Sequence, residues 1–67
     1  MNKFEILLAT VPDREKEVVE IWYENRLIAE INQENDNLEI ELYQRVMLDY
    51  NDFISVLEKA KNRLLGS

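Results

Sequence analysis

Alternating apolar and polar positions predict four β-strands in the first two thirds of the chain, at about 3–9, 17–24, 27–33 and 38–43. In the second of these, β-branched and aromatic residues dominate, which favours a strand over a helix. The clearest alternation runs from Leu38 to Tyr43, with Glu39 and Glu41 at polar positions. We therefore expect one face of this strand to be buried and the other to be exposed to solvent. Residues 45–48 form either a short fifth strand or a simple crossing to the last element.

The last part of the chain, at about 50–65, has the pattern of an amphipathic helix. Asp49 is a suitable N-cap with Asp52 three residues later, and Gly66 stands where a C-cap glycine would be. The apolar stripe consists of Phe53, Leu57, Ala60 and Leu64, widened by Ile54 and Leu65. The order β-β-β-β-α predicts one domain of the α+β class: a four-stranded antiparallel meander, five-stranded if 45–48 is a strand, with the C-terminal helix packed on one face.

The second and third strands are expected to form a hairpin across polar residues 24–26, and its register decides which side chains share a face. A three-residue loop pairs Ile21 with Ala29 and gives a wholly apolar face: Val19, Ile21, Tyr23, Leu27, Ala29 and Ile31. Trp22 then lies on the opposite face, with Val18, Ile28, Glu20 and Glu30 as its neighbours. A shift of one residue would bring Glu30 to the core side, which the period-two rule penalises, and would bury Trp22. The connection at residues 10–16 could also cover Trp22.

Composition adds a negative charge that is unevenly placed. Of the 67 residues, 46% are hydrophobic and 33% are charged, and the net charge is −6. Residues 17–41 hold eight acidic side chains and one basic side chain, Arg26. These acids either form the solvated face of a small sheet or complement a basic partner, whose Lys and Arg would relieve repulsion between like charges on adjacent strands.

The residue types limit the chemistry that the chain can perform. It contains no cysteine and no histidine, which excludes disulfides, a thiol nucleophile, an imidazole base and a zinc site of the usual kind. Paired carboxylates catalyse only in a cleft that desolvates one of them, and a chain this short has little volume for a cleft. The loop at 34–37 lacks the ligand spacing and the glycine of a calcium-binding hand. We therefore expect no enzyme, no cofactor and no metal site.

Charge and hydropathy also bear on the class of partner. An acidic sheet would repel phosphate groups, so direct nucleic-acid binding is not expected. The longest uninterrupted apolar run covers residues 6–9, whereas a bilayer-spanning helix needs roughly 20 residues. We expect no membrane association and a cytoplasmic location.

The order of elements resembles that of a type of small bacterial or phage hypothetical protein. The resemblance covers most of the chain and is carried by EIWY at 20–23, LIAEINQE at 27–34 and the terminal helix; it supplies no functional residues. In size and charge, the chain also resembles immunity proteins and antitoxins that neutralise nuclease toxins, and acidic phage inhibitors of host defence. That resemblance implies an inhibitor that occupies a basic cleft of its partner. Imitation of nucleic acid is one way in which an acidic surface does so.

These observations predict a non-enzymatic acidic protein that binds and neutralises a basic protein. Trp22 and Ile28 would form the apolar anchor of the binding face. The surrounding carboxylates would steer the partner and fix its register: Glu20, Glu30, Glu39 and Glu41. The alternative is a self-associating module, a homodimer that pairs through this outer face or, with less repulsion, through the open strand edge at residues 4–8.

Overall fold

The computed structural model describes residues 3–66 and has the predicted α+β architecture, an open antiparallel sheet with one helix packed on it. Its elements are β1 Phe4–Ala9, β2 Val18–Tyr23, β3 Arg26–Asn32, β4 Glu39–Leu42 and α1 Tyr50–Leu65. The strands lie side by side in chain order, so β1 and β4 are the two edges of the sheet. Residues 45–48 are a crossing and not a fifth strand. None of the helical structure described is long and apolar enough to cross a membrane.

The β2–β3 hairpin turns through two residues, not through the predicted three. Glu24 and Asn25 both have positive φ, at 49° and 66°, as a two-residue type I′ turn requires. Asparagine tolerates this left-handed conformation better than most residues because its short polar side chain can bond locally. The turn is therefore encoded chiefly by Asn25, in a pattern that lacks the usual glycine.

A β-bulge reconciles this short turn with the predicted strand register. Ile21 lies opposite Ala29 as expected, but Trp22 lies opposite Leu27, so Ile28 is an extra residue in β3. The bulge brings Ile28 into the core, where it is 2% exposed, and leaves Leu27 on the other face. The predicted positions of Ile28 on the outer face and of Leu27 on the core face are both wrong.

The core lies between the sheet and α1. Its buried members are Val19, Ile21, Ile28, Ala29, Ile31, Val56 and Ala60. The helix begins after Asp49, whose carboxylate accepts the backbone N–H of Asp52 at 3.0 Å. It ends at Gly66, which has a φ of 76°, the left-handed conformation common at helix ends. Both caps agree with the sequence-based prediction.

The buried stripe of α1 differs from the predicted stripe at its margins. Val56 is buried beside Ala60, although the sequence reading omitted it, while Ile54 and Leu65 are 42% and 48% exposed. Phe53, Leu57 and Leu64 pack against the core and are partly buried. The helix therefore presents a narrow apolar stripe to the sheet.

The helix covers β1, β2 and β3 but does not reach β4. A helix with its side chains is about 10–12 Å wide and neighbouring strands lie about 4.8 Å apart, so one helix covers only two or three strands. On the helix side of the sheet, Ile40 and Leu42 are consequently 49% and 67% exposed, and Leu38, which directly precedes β4, is 44% exposed. The expectation that this face of the fourth strand is buried is wrong.

The bulge predicts unequal effects for the same substitution at two strand positions. Ile28→Val removes a buried methylene and is expected to lower the free energy of unfolding by about 0.5–1.5 kcal/mol. Ile40→Val, at an exposed position, should change it by less than about 0.5 kcal/mol. Urea denaturation of the two variants measures both values. Equal losses would contradict the assignment of Ile28 to the core.

Candidate functional site

Three glutamates form a row across the face of the sheet opposite the helix. Glu20 on β2 lies directly opposite Glu30 on β3, which lies directly opposite Glu41 on β4. Like charges in directly opposed positions destabilise an antiparallel sheet. The row therefore needs a counter-charge, and the question is whether it comes from this chain or from a partner.

Arg14 supplies that charge from within the chain. It lies in the connection between β1 and β2, where its backbone N–H donates to the carbonyl of Val11 at 3.2 Å. Its Nε donates to Glu30 Oε2 at 2.9 Å and its second guanidinium nitrogen to Glu41 Oε1 at 2.7 Å. Burial acts to lower the pKa of Arg14, but the two carboxylates outweigh it and the pKa is raised above its usual value. One guanidinium thus serves two carboxylates.

Glu30 is the centre of this network. It is 5% exposed, and its carboxylate accepts hydrogen bonds from three side chains: Arg14, Asn32 Nδ2 at 3.0 Å and the Tyr43 hydroxyl at 3.0 Å. Asn32, itself buried, also accepts the backbone N–H of Glu34 at 3.1 Å. Glu30, which the sequence suggested as a contact for a partner, is therefore occupied by its own chain.

Tyr43 carries the strongest electrostatic perturbation in the network. Its partial burial, its hydrogen bond to Glu30 and the charges of Glu30 and Glu41 all disfavour the phenolate. Together they raise the pKa of Tyr43 from 10.0 to about 12. The hydroxyl consequently keeps its proton throughout the neutral range and can donate it to Glu30, at 3.0 Å, or to Glu41, at 3.3 Å.

Trp22 lies on the outer face, as the predicted register requires, but it is half-buried. Its indole Nε1 donates to Glu20 Oε1 at 3.1 Å, and its cross-strand neighbours are Glu5 and Leu27. Val18, on the same face, is fully buried. The predicted grouping of Trp22 with Ile28 does not form, because Ile28 lies on the other side of the sheet.

A polar cavity of about 430 Å³ lies between the β1–β2 connection and the outer face. It is lined by Val11, Asp13, Arg14, Glu20, Leu27, Glu30, Glu41 and Tyr43. Its three glutamates are hydrogen-bonded to Arg14, Tyr43 or Trp22, so most of the cavity's polar lining belongs to the packing between the connection and the sheet. Within residues 3–66, no group of three or more side chains could hold a metal ion.

The largest set of uncovered side chains follows β4. We call residues 38–42 the β4 surface. Glu39 and Glu41 project to the outer face, and the Glu41 side chain is 50% exposed although it contacts Arg14. Ile40 and Leu42 project to the helix side, where α1 does not reach them, and Leu38 adds a third exposed apolar side chain directly before the strand. The β4 surface is therefore acidic on one side and apolar on the other.

An apolar groove continues the helix side of the β4 surface. It encloses about 220 Å³ and is lined by Ile28, Leu42, Gln44, Val46, Leu48 and Phe53. The crossing segment forms one wall, because Val46 and Leu48 are partly buried against the core. Glu39 and Glu41 were among the predicted site residues, but the apolar half of the site was not. The width of a single helix beside four strands was the signal that could have located it.

No family model matches the chain, and comparisons with curated proteins and with solved structures give no match either. The β4 surface and the network around Glu30 are therefore the features from which function is inferred.

The Glu30 network predicts that this glutamate stabilises the fold. Glu30→Ala removes an acceptor shared by three side-chain donors, of which Arg14 and Tyr43 retain Glu41, so we expect a loss of about 2–4 kcal/mol in the free energy of unfolding. The matched control is Glu58→Ala, because the Glu58 side chain is 64% exposed and forms a surface pair with Lys61; its cost should be below about 1 kcal/mol. Chemical denaturation compares them, and equal costs would refute the structural role of Glu30.

The raised pKa of Tyr43 predicts a loss of stability at high pH. Because the folded-state pKa of about 12 exceeds the value of 10.0 for a free tyrosine, the unfolded chain ionises first as pH rises. The contribution of Tyr43 is full below pH 10 and is lost as the pH rises toward 12. In wild type, the denaturation midpoint should fall more steeply over this range than in Tyr43→Phe. Parallel curves for the two proteins would contradict the prediction.

Proposed function

We propose that this chain is a non-enzymatic acidic protein that binds and neutralises a basic protein, in the manner of immunity proteins and antitoxins. The observation that carries the proposal is the β4 surface. Five consecutive exposed residues combine carboxylates on one side with large apolar side chains on the other. Exposed apolar surface beside charge marks a protein interaction site, since a small monomer gains nothing from leaving it in water.

The charge of the outer face supports a basic partner. Four carboxylates face outward from β2, β3 and β4, and Arg14 is the cation that contacts two of them. Glu39 and the half-exposed Glu41 place negative charge at the β4 edge, where Glu41 shares Arg14 with Glu30. An acidic edge on a chain of net charge −6 accelerates encounter with a basic protein and disfavours acidic ones.

A binding role also suits the state of the carboxylates better than catalysis does. Glu30, the buried carboxylate, already accepts three hydrogen bonds. Glu41 accepts a hydrogen bond from Arg14, and Glu39 is exposed to solvent on an edge strand. General acid–base catalysis needs a substrate within hydrogen-bond reach of a free carboxyl group in a cleft. The proposed activity is inhibition by occupancy of the partner's surface.

Self-association is the second candidate, and the β1 edge favours it. Leu7 and Leu8 on this open strand are 46% and 39% exposed. The outer side of the same edge carries Lys3 and Glu5, so two copies of β1 would not oppose acids alone. A homodimer through β1 would leave the β4 surface free.

Charge reversal tests the proposal at one residue of the β4 surface. Proteins retained by the immobilised chain from an extract of its source cells are identified, and affinity is then measured with the purified partner. We expect a basic partner whose affinity falls at least about tenfold for Glu39→Lys at low ionic strength, with a smaller difference in high salt. Glu58→Lys on the helix makes the same change in net charge and should bind as wild type does.

Two results would overturn this proposal. One is a partner that binds Glu39→Lys and wild type equally, since the β4 surface would then not be the binding site. The other is the absence of any captured partner together with a stable dimer at micromolar concentration in sedimentation. That result would assign the chain to the self-associating class.

A further inference from the structure

We infer that the partner contributes an extended segment of alternating basic and apolar residues, which adds to the open edge of β4 as a fifth strand. This inference rests on the proposed function and specifies how the basic partner is recognised. In strand addition, main-chain hydrogen bonds supply affinity and alternate side chains supply specificity. The β4 surface offers both an open backbone edge and side chains that alternate between acidic and apolar.

The backbone of β4 is oriented for such an addition. The N–H of Tyr43 donates to the carbonyl of Ile28 at 2.8 Å, in continuation of the register that pairs Leu42 with Ala29. In an antiparallel ladder, bonded and non-bonded positions alternate, so Glu41 and Glu39 also bond toward β3. The N–H and C=O groups of Ile40 and Leu42 therefore point away from β3, into the open edge.

The side chains of β4 specify the composition of the added strand. A strand paired with β4 would place its alternate side chains beside Glu39 and Glu41 on the outer face, where Lys or Arg is favoured. The intervening side chains would lie on the helix side, beside Ile40 and Leu42, where apolar residues would cover surface that α1 leaves exposed. The groove next to Leu42 has room for an apolar side chain at the end of the segment.

The same charges argue against a second copy of this chain as the occupant. When a two-fold axis relates two antiparallel β4 strands, residues that share a face are paired. Glu39 would then lie opposite Glu41 of the other copy, or each glutamate opposite itself or an uncharged residue. Each of these registers juxtaposes at least one pair of acids and is unfavourable. A basic segment turns each of these contacts into an attraction.

The test uses a peptide of about seven residues, the length of a typical strand, in which lysine alternates with valine. Affinity is measured by titration calorimetry, and exchange of the backbone amides by NMR. We expect binding that weakens at least about tenfold for Glu39→Lys and not for Glu58→Lys. A peptide in which glutamate replaces lysine should not bind. On binding, exchange at the amides of Ile40 and Leu42 should slow at least tenfold, because these groups gain partners.

Two N-methylated peptides separate strand addition from attraction between charges. One carries N-methyl groups on its valines and the other on its lysines, so each keeps its charge but lacks donors along one edge. Valine methylation blocks an antiparallel addition and lysine methylation a parallel one. We expect one of the two to lose at least about tenfold in affinity and the other to bind as the parent does.

Equal binding of both methylated peptides would overturn the inference and leave the proposed function in place, because a basic segment would then bind through charge alone. Failure of the parent peptide to bind, beside a protein partner that is sensitive to Glu39→Lys, would also overturn the inference alone. If no partner depends on Glu39 and the peptide does not bind, both fail.

Discussion

The structure depends on the compensation of one row of like charges. Glu20, Glu30 and Glu41 meet across three strands, and the middle one is buried. Without a counter-ion, this arrangement would oppose closure of the meander. Arg14 provides the counter-ion only because the β1–β2 connection returns across the outer face. The connection is held there at a second point, where Glu34 accepts the backbone N–H of Glu15 at 2.6 Å and Lys16 bonds to Asp36 at 3.1 Å. A small protein thus gains a second, polar layer from a segment without regular structure.

The order and class of the elements could be predicted from the sequence because each depends on local patterns. Period-two alternation located the strands, and Asp49 and Gly66 marked the ends of the helix. The face of Ile28 could not be predicted in this way. It depends on a two-residue turn with positive φ at Glu24, and glutamate is not a residue type that indicates such a turn. It also depends on the bulge that restores the register. One extra residue moves a side chain to the other face of the sheet. A strict period-two pattern cannot indicate where such a bulge occurs.

The candidate site, like the fold, could be predicted from the sequence only in part. The acidic side of the β4 surface could be predicted because Glu39 and Glu41 alternate with apolar residues. The sequence also suggested that a partner's cations would relieve the repulsion between opposed glutamates. It could not reveal that Arg14 neutralises Glu30 within the chain, since 16 residues separate them. Burial of Ile40 and Leu42 was a reasonable expectation from alternation alone. It failed because coverage depends on how many strands one helix can span, which is a property of the assembled layers.

The two edges of the sheet differ in the occupant that they can accept. On the outer side, the β1 edge presents Glu5 and, directly before the strand, Lys3 of opposite sign, whereas β4 presents Glu39 and Glu41, both negative. Backbone hydrogen bonding is the same at any open edge, so charge decides which segment can pair there. An edge with both signs tolerates a copy of itself, but an edge with one sign rejects its own copy and selects a strand of the opposite sign. Net charge alone would attract a basic partner to any part of the chain; in the proposed strand addition, the alternation in β4 would favour one edge of the sheet.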